Sequence, residues 1–271
     1  GNTTGNNNVA IGNESLSQNS TGIDNVAIGW NSLVKNTTAQ QNTAVGTMAL
    51  ACNTVGCDNV AIGSRAMCAN TTGNLNVSVG RSALRANTTG KCNTAIGALA
   101  LTTNTTGFYN TGIGYQALTT NSCGNCNTGL GYRALAQNTT GSNNTAIGLI
   151  ALQANTTGSN NTAVGYFSLV SNVTGHSNTA VGFKALEDNT SGQSNTAIGF
   201  CAMCNNTTGI SNTAVGVRAG MLNLYAVKNT AIGESALQNN TVGGHNVAIG
   251  YQALVSNAGG VSNVAVGACA L

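Results

Sequence analysis

Apolar and polar positions return along this chain every 17 residues. Asn93-Thr-Ala-Ile-Gly97 reappears as Asn110-Thr-Gly-Ile-Gly114, and the opening Asn stands at 16 sites from Asn8 to Asn263 without insertion or deletion. The unit reads N-[T/V]-A-[I/V]-G-x-x-A-L-x-x-N-T-T-G-x-x; its positions are numbered here as registers 1 to 17. Alternation of β-branched and small residues in T-A-I-G predicts a short strand, and N-T-T-G predicts a turn. Seventeen residues are too few for a helical-hairpin repeat. An unbroken period is what a stacked structure demands, because one extra residue puts every later side chain out of register. The pattern therefore predicts an all-β, parallel β-solenoid of sixteen 17-residue coils, with two short strands and two turns in each. Residues 1–271 form one continuous repeat domain in this reading.

Stacking gives the invariant registers a physical meaning. Equivalent residues of adjacent coils lie about 4.8 Å apart, so an Asn above an Asn links amide to amide along a column. Register 1 (Asn8, Asn25, Asn42, Asn59, Asn93, Asn110, Asn127, Asn144) and register 12 (Asn36, Asn70, Asn104, Asn138) are expected to be two such ladders. Glycines at registers 5 and 15 let the backbone turn where a Cβ would clash. Ile or Val at register 4 and Leu at register 9 are expected to form the apolar columns of a narrow core, kept thin by Ala at register 8. One coil departs from the pattern: Gly220 takes the place of the core Leu, and Leu222 or Leu224 is expected to refill the space.

Composition narrows the function. Only 6% of residues are charged, and all fifteen fall in registers 6, 7, 10, 11, 16 or 17, the variable and hence outward ones. A net charge of +3 spread over the chain makes no nucleic-acid patch, and no apolar run approaches a membrane span. Glu187 and Asp188 are adjacent and diverge, and His176 and His245 are far apart, so no catalytic constellation or cofactor site is expected. Nine cysteines suit turn-stapling disulfides of an oxidising compartment, with Cys52–Cys57, Cys123–Cys126 and Cys201–Cys204 as candidates. Cys68 is an alternative mate for Cys52, and scattered reduced thiols are the competing reading. The two C-x-x-C motifs lie roughly 22 Å apart along the axis at about 4.8 Å per coil, too far to share a zinc ion.

Three surface features remain. Register 6 carries Trp30, Tyr115, Tyr132, Tyr166, Phe183, Phe200 and Tyr251, an exposed stripe that suits either contact between chains or binding of sugars. Ranks of outward threonines suit ice binding, although register 2 is Val in six of sixteen copies. The N-T-T triplets are glycosylation acceptors in form, but a ladder Asn has no freedom to carry a glycan; Asn143 and Asn160 are the better placed acceptors.

The phrase N-[T/V]-A-I-G-x-x-A-L resembles the repeats of trimeric autotransporter adhesin heads. Tyr115-Gln-Ala-Leu118 and Tyr251-Gln-Ala-Leu254 resemble more closely the N-T-A-I-G-Y-Q-A-L…N-T-T-G arrays of phage tail-fibre and bacterial surface proteins. The resemblance implies a left-handed parallel β-roll, often trimeric, on a cell or virion exterior, and it carries no catalytic residues. The expected function is a structural extracellular fibre, filament or tail-fibre shaft, with adhesion as an added role. The alternative is a module that binds glycans or ice through its regular face. The expected partners are copies of the chain itself, end to end or lateral, and surface glycans, with neither nucleic acid nor membrane insertion. A sequence that starts at Gly, at register 11, and stops at Leu271, at register 9, is expected to be an uncapped stretch of a longer fibre.

Overall fold

A computed structural model describes residues 2–271 of the chain. Sixteen parallel strands of three residues, one per repeat, form an all-β solenoid. Its coils group into two compact units, one ending at Thr140 and the other running from Gly141 to Leu271. The first holds β1 (Val9–Ile11) to β8 (Thr128–Leu130), and the second β9 (Thr145–Ile147) to β16 (Val264–Val266). Within each unit every strand pairs with its neighbour at a shift of one repeat. In the first, Thr94, Ala95 and Ile96 sit against Thr111, Gly112 and Ile113. In the second, Thr179, Ala180 and Val181 sit against Thr196, Ala197 and Ile198.

The expected second strand is not formed. Registers 5 to 12 instead make two successive tight turns, closed by bonds such as Ala66 N to Gly63 O at 3.2 Å and Asn70 N to Met67 O at 3.0 Å. The reason is a backbone reversal repeated in every coil. Registers 7, 9 and 17 have positive φ even where the residue is bulky: Arg65 57°, Met67 48° and Leu75 59° in one coil. Left-handed conformation costs an L-residue about 1–2 kcal/mol. It is offset here because it turns each amide toward a neighbouring coil. Arg65 N donates to Thr47 O below at 2.8 Å, and Met67 N donates to Ala83 O above at 3.0 Å. The glycines at register 5 also have positive φ, whereas those at register 15 do not and sit in a crowded corner.

The core differs from the expectation at one register. Leu or Met at register 9 is fully buried, and so is Ala at registers 3 and 8 through the middle of each unit. Register 4 points outward: Ile96 is 39% exposed, and none of the sixteen Ile, Val or Leu side chains there is buried. Neighbouring residues of a strand face opposite ways. The Ala between Thr and Ile is therefore the inward residue, which leaves room inside for the Leu of register 9. The interior is a thin column of Leu and Ala walled by Asn.

Both Asn ladders are present. Asn42 donates its Nδ2 to Asn25 Oδ1 at 3.2 Å, and Asn59 to Asn42 Oδ1 at 3.1 Å. In the second column Asn70 donates to Asn53 Oδ1, and Asn87 to Asn70 Oδ1, both at 2.8 Å. The ladders meet at register 15, where Gly73 O accepts from Asn59 Nδ2 at 2.8 Å and from Asn70 Nδ2 at 3.0 Å. Asn36, Asn70, Asn104 and Asn138 are fully buried, so a glycan has no access to these N-T-T triplets. Asn87→Ala would leave Asn70 Oδ1 and Asn104 Nδ2 without a ladder partner. Unsatisfied buried polar groups cost about 1–3 kcal/mol, so a loss of that size is expected in urea unfolding.

The irregular coil keeps its length but not its bonding. Leu222 and Leu224 are both half-buried, so neither takes the inside position that Gly220 leaves empty. Asn223 turns its Nδ2 to Met203 Sδ at 3.9 Å, and Asn206 Oδ1 stays buried without a hydrogen-bond partner. The register-12 ladder is interrupted between these two residues.

Candidate interaction face

The outward side of each strand presents two columns, Thr or Val at register 2 and Ile, Val or Leu at register 4. The bend at Gly of register 5 then brings the side chain of register 6 to the edge of the same coil. In the second unit this edge reads Leu149, Tyr166, Phe183, Phe200 and Val217 over five consecutive coils, all of them exposed. Tyr166 and Phe183 stack with ring centroids 5.5 Å apart, and Phe183 and Phe200 stack at 5.1 Å with planes only 6° apart. Parallel coils one strand spacing apart enforce this separation. In the first unit Tyr115 and Tyr132 stack at 5.7 Å. Trp30 and Tyr251 are exposed without an aromatic neighbour in their columns. The stripe is thus four separate pieces: one triplet, one pair and two single rings.

Phe167, at register 7, adds a fourth ring to the triplet, 4.2 Å from Tyr166 and tilted by 57°. Lys184 Nζ lies 5.9 Å from the centre of Phe167 and 5.8 Å from that of Phe183, and pairs with Glu187 at 3.1 Å. The hydrogen bond to Glu187 raises the pKa of Lys184, with the carboxylate charge adding to it. This is the rim of the apolar patch.

All nine cysteines are free thiols, the three expected pairs Cys52–Cys57, Cys123–Cys126 and Cys201–Cys204 included. Cys201 and Cys204 are close enough for a side-chain hydrogen bond. Burial first, then that bond and the negative charges of Cys201, Glu187 and Asp188, push the Cys204 thiol up to about 12. Burial raises Cys68 as well, with Cys52 as its next contributor. Such thiols stay protonated and unreactive at neutral pH. Among the described residues no group of three or more His, Cys, Asp or Glu could hold a metal ion, and no helix is long and apolar enough to cross a membrane.

Two surface features escaped the sequence reading. One is the outward column of register 4, for which the signal was the alternation Thr-Ala-Ile, with its smallest residue in the centre. The other is a cleft at the turn side of the first unit, lined by Thr89, Lys91, Cys92, Thr106, Phe108 and Tyr109. Its signal was the pair Lys-Cys followed by Phe-Tyr at the variable registers 16 and 17 of consecutive coils.

No protein-family model matches the chain, and no curated protein matches it.

Proposed function

We propose that this chain is a shaft module of an extracellular fibre, whose copies associate side by side through the outward apolar face. The observation that carries the reading is the outward column of half-buried Val164 and Val181 and exposed Ile198 beside the stacked, exposed rings of Tyr166, Phe183 and Phe200. A contiguous exposed apolar patch on a soluble protein marks an interaction surface. A face that repeats at the strand spacing of about 4.8 Å is matched in spacing by another copy of itself, as in stacked cross-β sheets. The interior supports a mechanical role, since the Asn ladders tie coil to coil by side chains as well as by backbone. An exterior location follows from the same reading.

The experiment is sedimentation and electron microscopy of the chain and of Phe183→Ser/Phe200→Ser. The parent chain is expected to form laterally associated particles that the double variant does not form, while both give the same circular-dichroism spectrum, because the two rings are 40% and 45% exposed. A parent that stays at its single-chain mass of 27.0 kDa at every concentration, or a variant that assembles equally well, overturns the reading.

A second reading is supported by register 2. Thr145, Thr162, Thr179, Thr196, Thr213 and Thr230 make an unbroken half-exposed column on six strands of the second unit. Such a column could order water and bind ice as a single chain. Inhibition of ice recrystallisation that is lost in Thr179→Tyr/Thr196→Tyr would favour it over lateral assembly.

A further inference from the structure

The cleft on the first unit departs from the repeat in a way that a shaft does not need. Thr89 and Thr106 occupy register 14 of adjacent coils, Lys91 and Phe108 register 16, and Cys92 and Tyr109 register 17. The cleft encloses about 330 Å³, at the small end of the range for small-molecule sites. Phe108 and Tyr109 meet edge to face, centroids 5.5 Å apart and planes at 86°. That arrangement leaves ring faces uncovered, and Tyr109 is 62% exposed. The backbone that carries these rings is held by Tyr109 N to Lys91 O at 3.1 Å and by Phe108 N to Asn125 Oδ1 at 3.0 Å. The rings are thus presented by a fixed turn.

Charge gives the cleft a sign. Lys91 has no carboxylate within ion-pair distance among the described residues, where the ion pair present is Lys184–Glu187. Lys91 is the one charged residue among those lining the cleft, and the chain has no acidic residue between Asp58 and Glu187. An ammonium beside a low-dielectric wall of rings raises the local concentration of opposite charge. A ligand matched to these groups has a flat apolar face for a ring, hydroxyls for two threonines and an anion for an ammonium. We infer that this cleft binds the acidic pyranose end of a carbohydrate, with the sugar's C–H face on Phe108 or Tyr109, its hydroxyls on Thr89 and Thr106, and its carboxylate on Lys91. This site is independent of the lateral face and of the fibre reading.

Calorimetric titration of the full chain would use an oligosaccharide ending in glucuronic acid, its counterpart ending in glucose, and a glutamate-rich peptide. The acidic sugar is expected to bind about tenfold or more tightly than the neutral one, and the peptide not measurably. Lys91→Asn should remove the preference for acid. Phe108→Asn/Tyr109→Ser should abolish binding of both sugars. Asn and Ser stand at these registers in other coils, at Asn125 and Ser177, so all variants should melt and sediment like the parent. No binding of either sugar, equal binding of both, binding that survives the double variant, or peptide bound as tightly as the acidic sugar each overturns the inference. None of these results changes the particle mass on which the fibre reading is tested.

Discussion

Leu101→Asp is expected to unfold the coils around it, whereas Ile96→Asp, five residues earlier in the same coil, should leave them folded. Both are large apolar residues at invariably apolar registers, and hydropathy alone does not separate them. Leu101 is fully buried beneath the next coil. There its Cδ1 and Cγ lie 3.3 Å from the point where Gly112 would carry a Cβ. A carboxylate at this place has no cation to pair with in a column of Leu and Ala, and an unpaired buried charge costs several kcal/mol. Removing the Leu side chain alone costs about 2–5 kcal/mol. Ile96 is 39% exposed on the outward side of its strand, where an Asp stays hydrated and sacrifices only strand preference, about 1 kcal/mol or less. Urea unfolding followed by circular dichroism checks this. Equal shifts for the two variants would mean that the inward and outward sides have been assigned wrongly.

The same pair of residues shows how far the sequence was legible. The 17-residue period could be read directly because stacking forbids insertions, and the period alone implies coils and ladders of Asn. Direction within the coil was harder to read. Ile and Leu look equivalent in composition, but Ile96 leaves the core because the alternation of its strand puts Ala95 inside. The missing second strand has a related cause. A-L-x-x looks like the start of an ordinary element, and nothing in the letters shows that Met67 or Leu101 adopts φ near +50°. That conformation is imposed by hydrogen bonds to the coils above and below, which no local propensity reports.

Surface features divide in the same way. Register 6 aromatics were legible as a stripe because they recur at one register, and the rings fall into clusters wherever a non-aromatic residue such as Arg81, Leu149 or Glu234 stands in the column. The cleft of Lys91, Phe108 and Tyr109 was not legible, since it depends on two adjacent irregular coils meeting in space. The Asn223 defect was visible as a break in the repeat. Its consequence, an unpartnered Asn206 Oδ1 one coil away, follows only from the stacking.

Glycine provides the sharpest separation of cause from pattern. Gly97→Ala at register 5 is expected to destabilise far more than Gly90→Ala at register 15, although both glycines recur throughout the chain. The φ of Gly97 is +130°, far from the left-handed well near +57° that Leu101 and its equivalents occupy. That well is open to an L-residue at about 1–2 kcal/mol; the region near +130° is not. A Cβ on Gly97 would also stand 2.5 Å from the carbonyl oxygen and 2.7 Å from the carbonyl carbon of Gly114 in the coil above. Both obstacles are backbone atoms, so no side-chain rotation relieves them. Lifting the upper coil would break the bond from Gly114 N to Ile96 O at 2.8 Å. Gly90 is crowded as well, but its φ is not positive. The chain already carries Ala39 and Ala226 at its register, both nearly fully buried, so this corner can accommodate a methyl group. The expected losses are on the order of 3 kcal/mol or more for Gly97→Ala and about 1 kcal/mol for Gly90→Ala, measured as shifts of the urea midpoint. The reverse order would mean that the bend at register 5 is not set by the backbone of the coil stacked on it.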